Sequence, residues 1–116
     1  MAIPSGSGTE VLKVNRVTGI DATNTIVLQG VADHIYTVVS MILVNTDSSS
    51  REIYCRIYDG TGTSNEHYIL KAQSVPPEGT FIFNDKFVIS GAYNLRVSSA
   101  NGDLDATISY IDQDWS

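Results

Sequence analysis

A chain of 116 residues with one cysteine, two histidines and seven basic side chains has little to offer covalent, metal or phosphate chemistry. The lone Cys55 excludes an internal disulfide, and the lack of Cys and His at close spacing excludes a structural metal site of the usual kind. The fold must hold by burial, which a single domain of this length achieves by removing roughly 65% of its unfolded surface from water. Basic residues are outnumbered by thirteen Asp and Glu, and the net charge of −6 repels phosphate backbones and excludes a nucleic-acid partner. Long apolar runs are missing: no stretch approaches the roughly eighteen residues of a membrane span. The opening MAIPSGSGTE has no basic run leading into an apolar segment, which predicts no export signal and folding in a reducing environment. Helical periodicity is missing too, because wherever apolar residues recur at three and four, β-branched residues crowd the same window.

What fills the chain instead is a series of short Val, Ile, Thr and Tyr-rich runs at 10–17, 25–29, 34–45, 51–58, 66–72, 80–83, 86–90, 93–98 and 104–111. Turn clusters separate them: TDSSS at 46–50, DGTGTSN at 59–65, SVPPEG at 74–79 and SSANGD at 98–103. Eight to nine strands, mostly with one apolar face, predict an all-β antiparallel two-sheet sandwich, jelly-roll or immunoglobulin-like in topology. Residues 1–9 read as a flexible arm and 10–116 as a single β-sandwich domain. The stretch YNLRVSSANGDLDATISYID at 93–112 reads as a hairpin turned by Asn101-Gly102. Its apolar alternation runs through Tyr93, Leu95, Val97, Leu104, Ala106, Ile108 and Tyr110.

Two strands carry more than a fold signal. Residues 35–44 are apolar on both faces, Ile35, Val39, Met41 and Leu43 on one and Tyr36, Val38, Ile42 and Val44 on the other. Either the N-terminal segment or a loop covers the second face, or a neighbouring subunit does. In 51–58, Ile53, Cys55 and Ile57 are expected in the core, with Glu52, Tyr54, Arg56 and Tyr58 outward. Tyrosine and arginine are enriched at interfaces, and a cross-strand aromatic pair within one subunit explains such a row equally well. The candidate partner-binding residues are therefore Tyr54, Arg56, Tyr58, Tyr36, Val38 and Ile42.

Catalytic and metal constellations are not apparent. His34 opens a strand and His67 sits inside one, each without a ligand or triad partner at sequence spacing. Cys55, between Ile53 and Ile57 in the alternation, is expected to be buried and inert. The loop from Asp59 to Glu66 places oxygen-bearing side chains at a spacing faintly like a calcium loop but lacks most of its acidic positions. Asp103 and Asp105 read as outer-face residues, and Asp112 and Asp114 as part of a frayed end. No glycine signature for nucleotides and no nucleophile elbow occurs. The chain reads as a non-enzyme with no cofactor and no metal.

From the Pro-Pro turn onward, SVPPEGTFIFNDKFVISGAYNLRVSSANGDLDATISYIDQD resembles small virion structural proteins of tailed bacteriophages. The likeness lies in a strand leading into a turn (Lys71 to Glu78), an aromatic run with a short strand (Phe81 to Ile89), then YNLRVSSANG and a final ISYID strand. VVSMILVNTDSSS followed by REIYCRIYDG extends it over nearly everything after residue 30. The resemblance implies a β-sandwich or jelly-roll component of the virion, made in the host cytoplasm: a capsid decoration or cement protein, or a neck or tail part. It implies other virion proteins as partners, the major capsid or tail and neck subunits, with self-association and no membrane. The alternative from another class is a carbohydrate-binding or host-recognition module, since jelly rolls also serve as lectins and Trp115 and the tyrosines offer stacking surfaces.

Overall fold

The alternation of β-branched and polar residues builds two sheets whose apolar faces meet. The computed structural model describes residues 9–59, 66–99 and 103–115. Among these lie nine strands: β1 (Thr9–Ile20), β2 (Thr25–Gln29), β3 (His34–Asn45), β4 (Arg51–Asp59), β5 (Glu66–Val75), β6 (Thr80–Phe83), β7 (Phe87–Ser90), β8 (Tyr93–Ser99) and β9 (Leu104–Asp114). One sheet has the order β1-β9-β3-β6, with β7 also on β3, and the other the order β2-β8-β4-β5. Every pairing is antiparallel. β6 lies against Met41 to Val44 and β7 against Ile35 to Val38, so the two act as one interrupted edge strand. On that count the chain changes sheet at every connection except β4 to β5. That winding is a jelly roll rather than an immunoglobulin sandwich, in which several consecutive strands share a sheet.

The topology corrects the hairpin expected at 93–112. β8 lies between β2 and β4, whereas β9 lies between β1 and β3 in the opposite sheet. Leu95 and Val97 therefore face Leu104, Ala106 and Ile108 across the core, while Tyr93 is exposed. Alternation cannot distinguish the two arrangements, because each leaves both strands with one apolar face. Residues 100–102, with the expected Asn101-Gly102 turn, lie outside the described residues, as do 1–8 of the expected arm and 60–65 of the loop after Asp59.

β3 carries a second correction. Its register with β9 runs from His34 to Val38 and resumes at Ser40, leaving Val39 as an extra residue. Past such a bulge the faces exchange. Tyr36 and Val38 consequently join Met41, Leu43 and Asn45 on the buried side, instead of sharing an outer face with Ile42 and Val44.

The core is a bilayer of side chains from the two sheets. Ile53, Cys55, Leu95 and Val97 meet Met41, Leu43, Leu104 and Ile108, all at 1% exposure or less. Each such side chain contributes about 1.5–3 kcal/mol by burial. Cys55 Sγ lies 3.9 Å from Met41 Sδ, and desolvation pushes its thiol up to about 12. Glycine is required where the turn into β3 meets the turn into β8. Gly30 N–H donates to the Tyr93 carbonyl at 2.8 Å, and a Cβ on Gly30 would stand 2.2 Å from that oxygen.

Asn45, fully buried at the end of β3, pins the turn regions together. Its Nδ2 donates to the carbonyls of Ser49 (2.9 Å), Val75 (3.2 Å) and Pro76 (3.1 Å), and its Oδ1 accepts from Asp47 N–H at 3.0 Å. Asn45→Ala leaves these carbonyls without their donor and is expected to cost about 2 kcal/mol or more, read as a lowered denaturant midpoint. Cys55 should resist thiol reagents in native buffer and label stoichiometrically in denaturant; prompt native labelling would place β4 in the opposite register.

Candidate functional site

β4 alternates as expected, and its outer row is built into the four-stranded sheet. The register sets Tyr54, Arg56 and Tyr58 against Ser98, Arg96 and Asn94 of β8, and Arg56 and Tyr58 against Tyr68 and Glu66 of β5. The Arg56 guanidinium stacks between the Tyr54 ring (5.3 Å) and the Tyr68 ring (4.8 Å), while Arg96 lies 4.1 Å over Tyr58. Polar groups close the gaps. Arg56 Nη1 donates to Asn24 Oδ1, Asn24 Nδ2 donates to the Tyr58 hydroxyl at 2.8 Å, and that hydroxyl donates to Glu66 Oε2 at 2.9 Å. Glu66 Oε2 also lies 3.5 Å from Arg56 Nε as its ion-pair partner. Burial, and after it the Glu66 hydrogen bond, raises the Tyr58 phenol above its ordinary value.

The row is thus an internal stack of cations and aromatic rings. Tyr58, expected outward as a contact residue, is only 1% exposed beneath this lattice, and Tyr54 and Arg56 are half-buried. Beside them opens a pocket of about 520 Å³ whose lining includes Ser50, Arg51, Glu52, Tyr54, Arg56 and Ser98. Arg51 is paired with Asp47. The pocket offers hydroxyls, a carboxylate, guanidinium groups and one aromatic wall, a donor and acceptor set suited to a polar group.

The outer face of the five-stranded sheet has the opposite character. Cross-strand registers place side by side Leu12, Ile111, Thr37 and Val88, then Val14, Ser109 and Ser40, then Arg16, Thr107, Ile42 and Ile82. Leu12 is 69% exposed, Ile82 and Val88 55%, and Ile42 36%. Charge is confined to the margin, with Arg16 on the β1 edge and Asp105 and Glu10 at the ends. Of the six candidate residues, only Ile42 stands on this face. Tyr36 and Val38 were placed with it by unbroken alternation, and the Val39 bulge turns both into the core.

A third cluster was not visible in the sequence. Asp112, expected in a frayed end, sits in β9 between β1 and β3 and is 4% exposed. Its Oδ1 lies 2.7 Å from His34 Nδ1 and its Oδ2 accepts from Lys13 Nζ at 2.7 Å, while His34 Nε2 is 3.4 Å from Asp114. The three residues are far apart in sequence, so no spacing rule finds them; pairing of β9 with both neighbours brings them together. Burial opposes the Asp112 charge, but the hydrogen bonds from Lys13 and His34 outweigh it and hold the carboxyl below its ordinary value. The same bond raises Lys13. The aromatic rings of Tyr36 and Tyr110, 5.1 Å apart, adjoin the cluster.

No family model matches the chain, and no curated protein matches it. Solved structures that share its fold include the following two. A chain of the Bacillus endospore appendages, a novel family of disulfide-linked pili, superposes with a TM-score of 0.56 at 13% identity, covering 100% of this chain and 97% of that one. A chain from the structure of infectious bursal disease virus, Gx strain, gives 0.52 at 12% identity over 91% of this chain and 34% of that one. This chain therefore spans about a third of the viral chain's length. The likeness is one of fold. The disulfides in the description of the pili have no accessible counterpart in this chain, because its one cysteine, Cys55, is buried.

The Asp112 cluster sets an acid limit on stability. A carboxyl depressed by folding contributes fully above its unfolded value near 3.8, and that contribution is lost as pH falls through the lower folded value. Asp112→Asn should cost about 1–3 kcal/mol at neutral pH and flatten the fall of Tm below about pH 4. An acid limb identical to that of the parent chain would assign the limit to other carboxylates.

Proposed function

We propose that this chain is a non-enzymatic structural subunit of a tailed-bacteriophage virion, which binds repeated copies of a capsid, neck or tail protein as a decoration, cement or connecting part and is itself oligomeric. The observation that carries the reading is the outer face of the five-stranded sheet. Four strands at about 4.8 Å spacing, with five rows of outward side chains, make a face about 20 Å by 30 Å. On it the exposed aliphatic side chains Leu12, Val14, Ile42, Ile82 and Val88 form apolar surface of the kind that marks interaction sites. At roughly 600 Å² the face falls short of the about 800 Å² per partner of a stable binary complex. A single contact is therefore weak, and retention comes from many contacts made at once on a symmetric particle. The fold neighbours, one from a pilus and one from the structure of a virus, support a structural role.

The pocket beside Tyr54 favours a second reading, a glycan-binding or host-recognition module, because its volume and its aromatic and polar lining suit one sugar unit. One experiment separates the two. Ile82→Lys and Val88→Lys change exposed side chains and should leave the melting curve in place, yet each should weaken cosedimentation with particles stripped of this protein by about 1–2 kcal/mol per contact. Retention unchanged in both variants, together with glycan-array binding that Tyr54→Ala removes, would overturn the structural reading in favour of the lectin one.

A further inference from the structure

Each sheet of an open sandwich has two edges, and proteins blunt such edges to prevent pairing with other chains. Three of the four edges here are blunted. β2 has five residues with a register shift between Ile26 and Leu28, and β6 and β7 have four residues each. β5 is interrupted by two register shifts against β4, carries Lys71, and holds Ala72 in a left-handed conformation at φ 54. β1 is different. It keeps unbroken register with β9 from Thr9 to Val17, and among the described residues its other edge is unpaired. Its side chains from Glu10 to Val14 are exposed on both faces, including Val11, Leu12 and Val14. The one lysine on this segment, Lys13, is drawn back onto Asp112.

We propose that two copies of this chain join through β1, edge to edge and antiparallel, about a two-fold axis at Lys13. Directly opposed residues of an antiparallel pair point to the same face, so the axis position fixes every cross-strand pair. With the axis at Lys13, Leu12 meets Val14 of the second copy and Glu10 meets Arg16 of the second copy, each pair occurring twice. Moving the axis to Leu12 sets Glu10 against Val14, and moving it to Val14 sets Leu12 against Arg16. Only the Lys13 axis matches apolar with apolar and acid with base along the whole outer face. Arg16 is exposed and pairs with no acid among the described residues. Glu10 accepts from Gln113 Nε2 at 2.8 Å and keeps a second oxygen for a guanidinium. The cost is the approach of the two Lys13 side chains on the other face, which each copy's own Asp112 neutralises. The result is one sheet continuous across the dimer.

The inference deepens the self-association in the proposed function and rests on it. Sheet-face variants at Ile82 and Val88, on the opposite edge, report on particle binding separately. An edge contact buries less than a standard interface, so association should be concentration-dependent, and sedimentation equilibrium of the full chain over about 10 μM to 1 mM reads it. Arg16→Glu alone and Glu10→Arg alone each oppose like charges twice and should weaken self-association at least about tenfold. An equimolar mixture of the two variants opposes unlike charges at every position again and should restore a heterodimer. Leu12→Lys should give the same loss without touching either ion pair. Wild type monomeric at about 1 mM, variants that associate like wild type, or a mixture that stays apart would each overturn the proposal.

Discussion

The extra residue at Val39 is the constraint from which the five-stranded sheet takes its two faces. β3 is the strand that both β9 and the β6–β7 edge hold, so its side-chain phase is imposed on the whole sheet. Before the bulge, Tyr36 and Val38 point inward; after it, Met41, Leu43 and Asn45 do. Three separate features depend on this change of phase. Tyr36 reaches Tyr110 beside the Asp112 cluster, Asn45 arrives where it can hold three carbonyls of the neighbouring turns, and Ile42 is delivered to the outer face opposite Ile82. A strict alternation through 34–45 would turn either Tyr36 and Val38 or Met41, Leu43 and Asn45 out of the core.

The two outer faces solve the same problem in opposite ways. A sandwich strand has only one side to bury, and the other must be made compatible with water or with a partner. On the four-stranded sheet, Arg56 and Arg96 spread their guanidinium groups over tyrosine rings, with Asn24, Asn94 and Glu66 taking up the donors. Such contacts are worth about 0.5–2 kcal/mol each, and they consume within the subunit the residue types that elsewhere anchor partners. Among the described residues the five-stranded sheet carries no such lattice, and Leu12, Val14, Ile42, Ile82 and Val88 remain exposed. The contrast leaves the aliphatic face of the five-stranded sheet, rather than the tyrosine row, as the exposed apolar surface, and it is there that the proposed partner contact falls.

The jelly roll is closed without an internal disulfide. Its stability comes from the burial of side chains contributed by both sheets, and the single thiol is consumed as packing against Met41. That leaves the outer faces and edges available for contacts that are individually modest. In the proposed symmetric array modest contacts would suffice, because each subunit is held at several places at once.

What the sequence by itself determined is the local structure. Each strand is a run of alternating β-branched and aromatic residues bounded by turn chemistry, and the observed strands depart from the runs mainly at their ends, where β1, β5 and β9 each run three residues further. The inward face of β4 was legible for the same reason, since period-two alternation is a property of consecutive residues. The tertiary structure alone decided relations between residues distant in the chain. Whether β8 and β9 form a hairpin or face each other across the core depends on which strands each pairs with, and the alternation is identical in both cases. The Val39 bulge has no composition signal, because β3 is apolar on both sides of it. Lys13, His34 and Asp112 meet only because β9 is inserted between β1 and β3, and the exposure of the β1 edge follows from its place at the end of that order. Hydrophobic period is written residue by residue, whereas strand order is a property of the closed sheet.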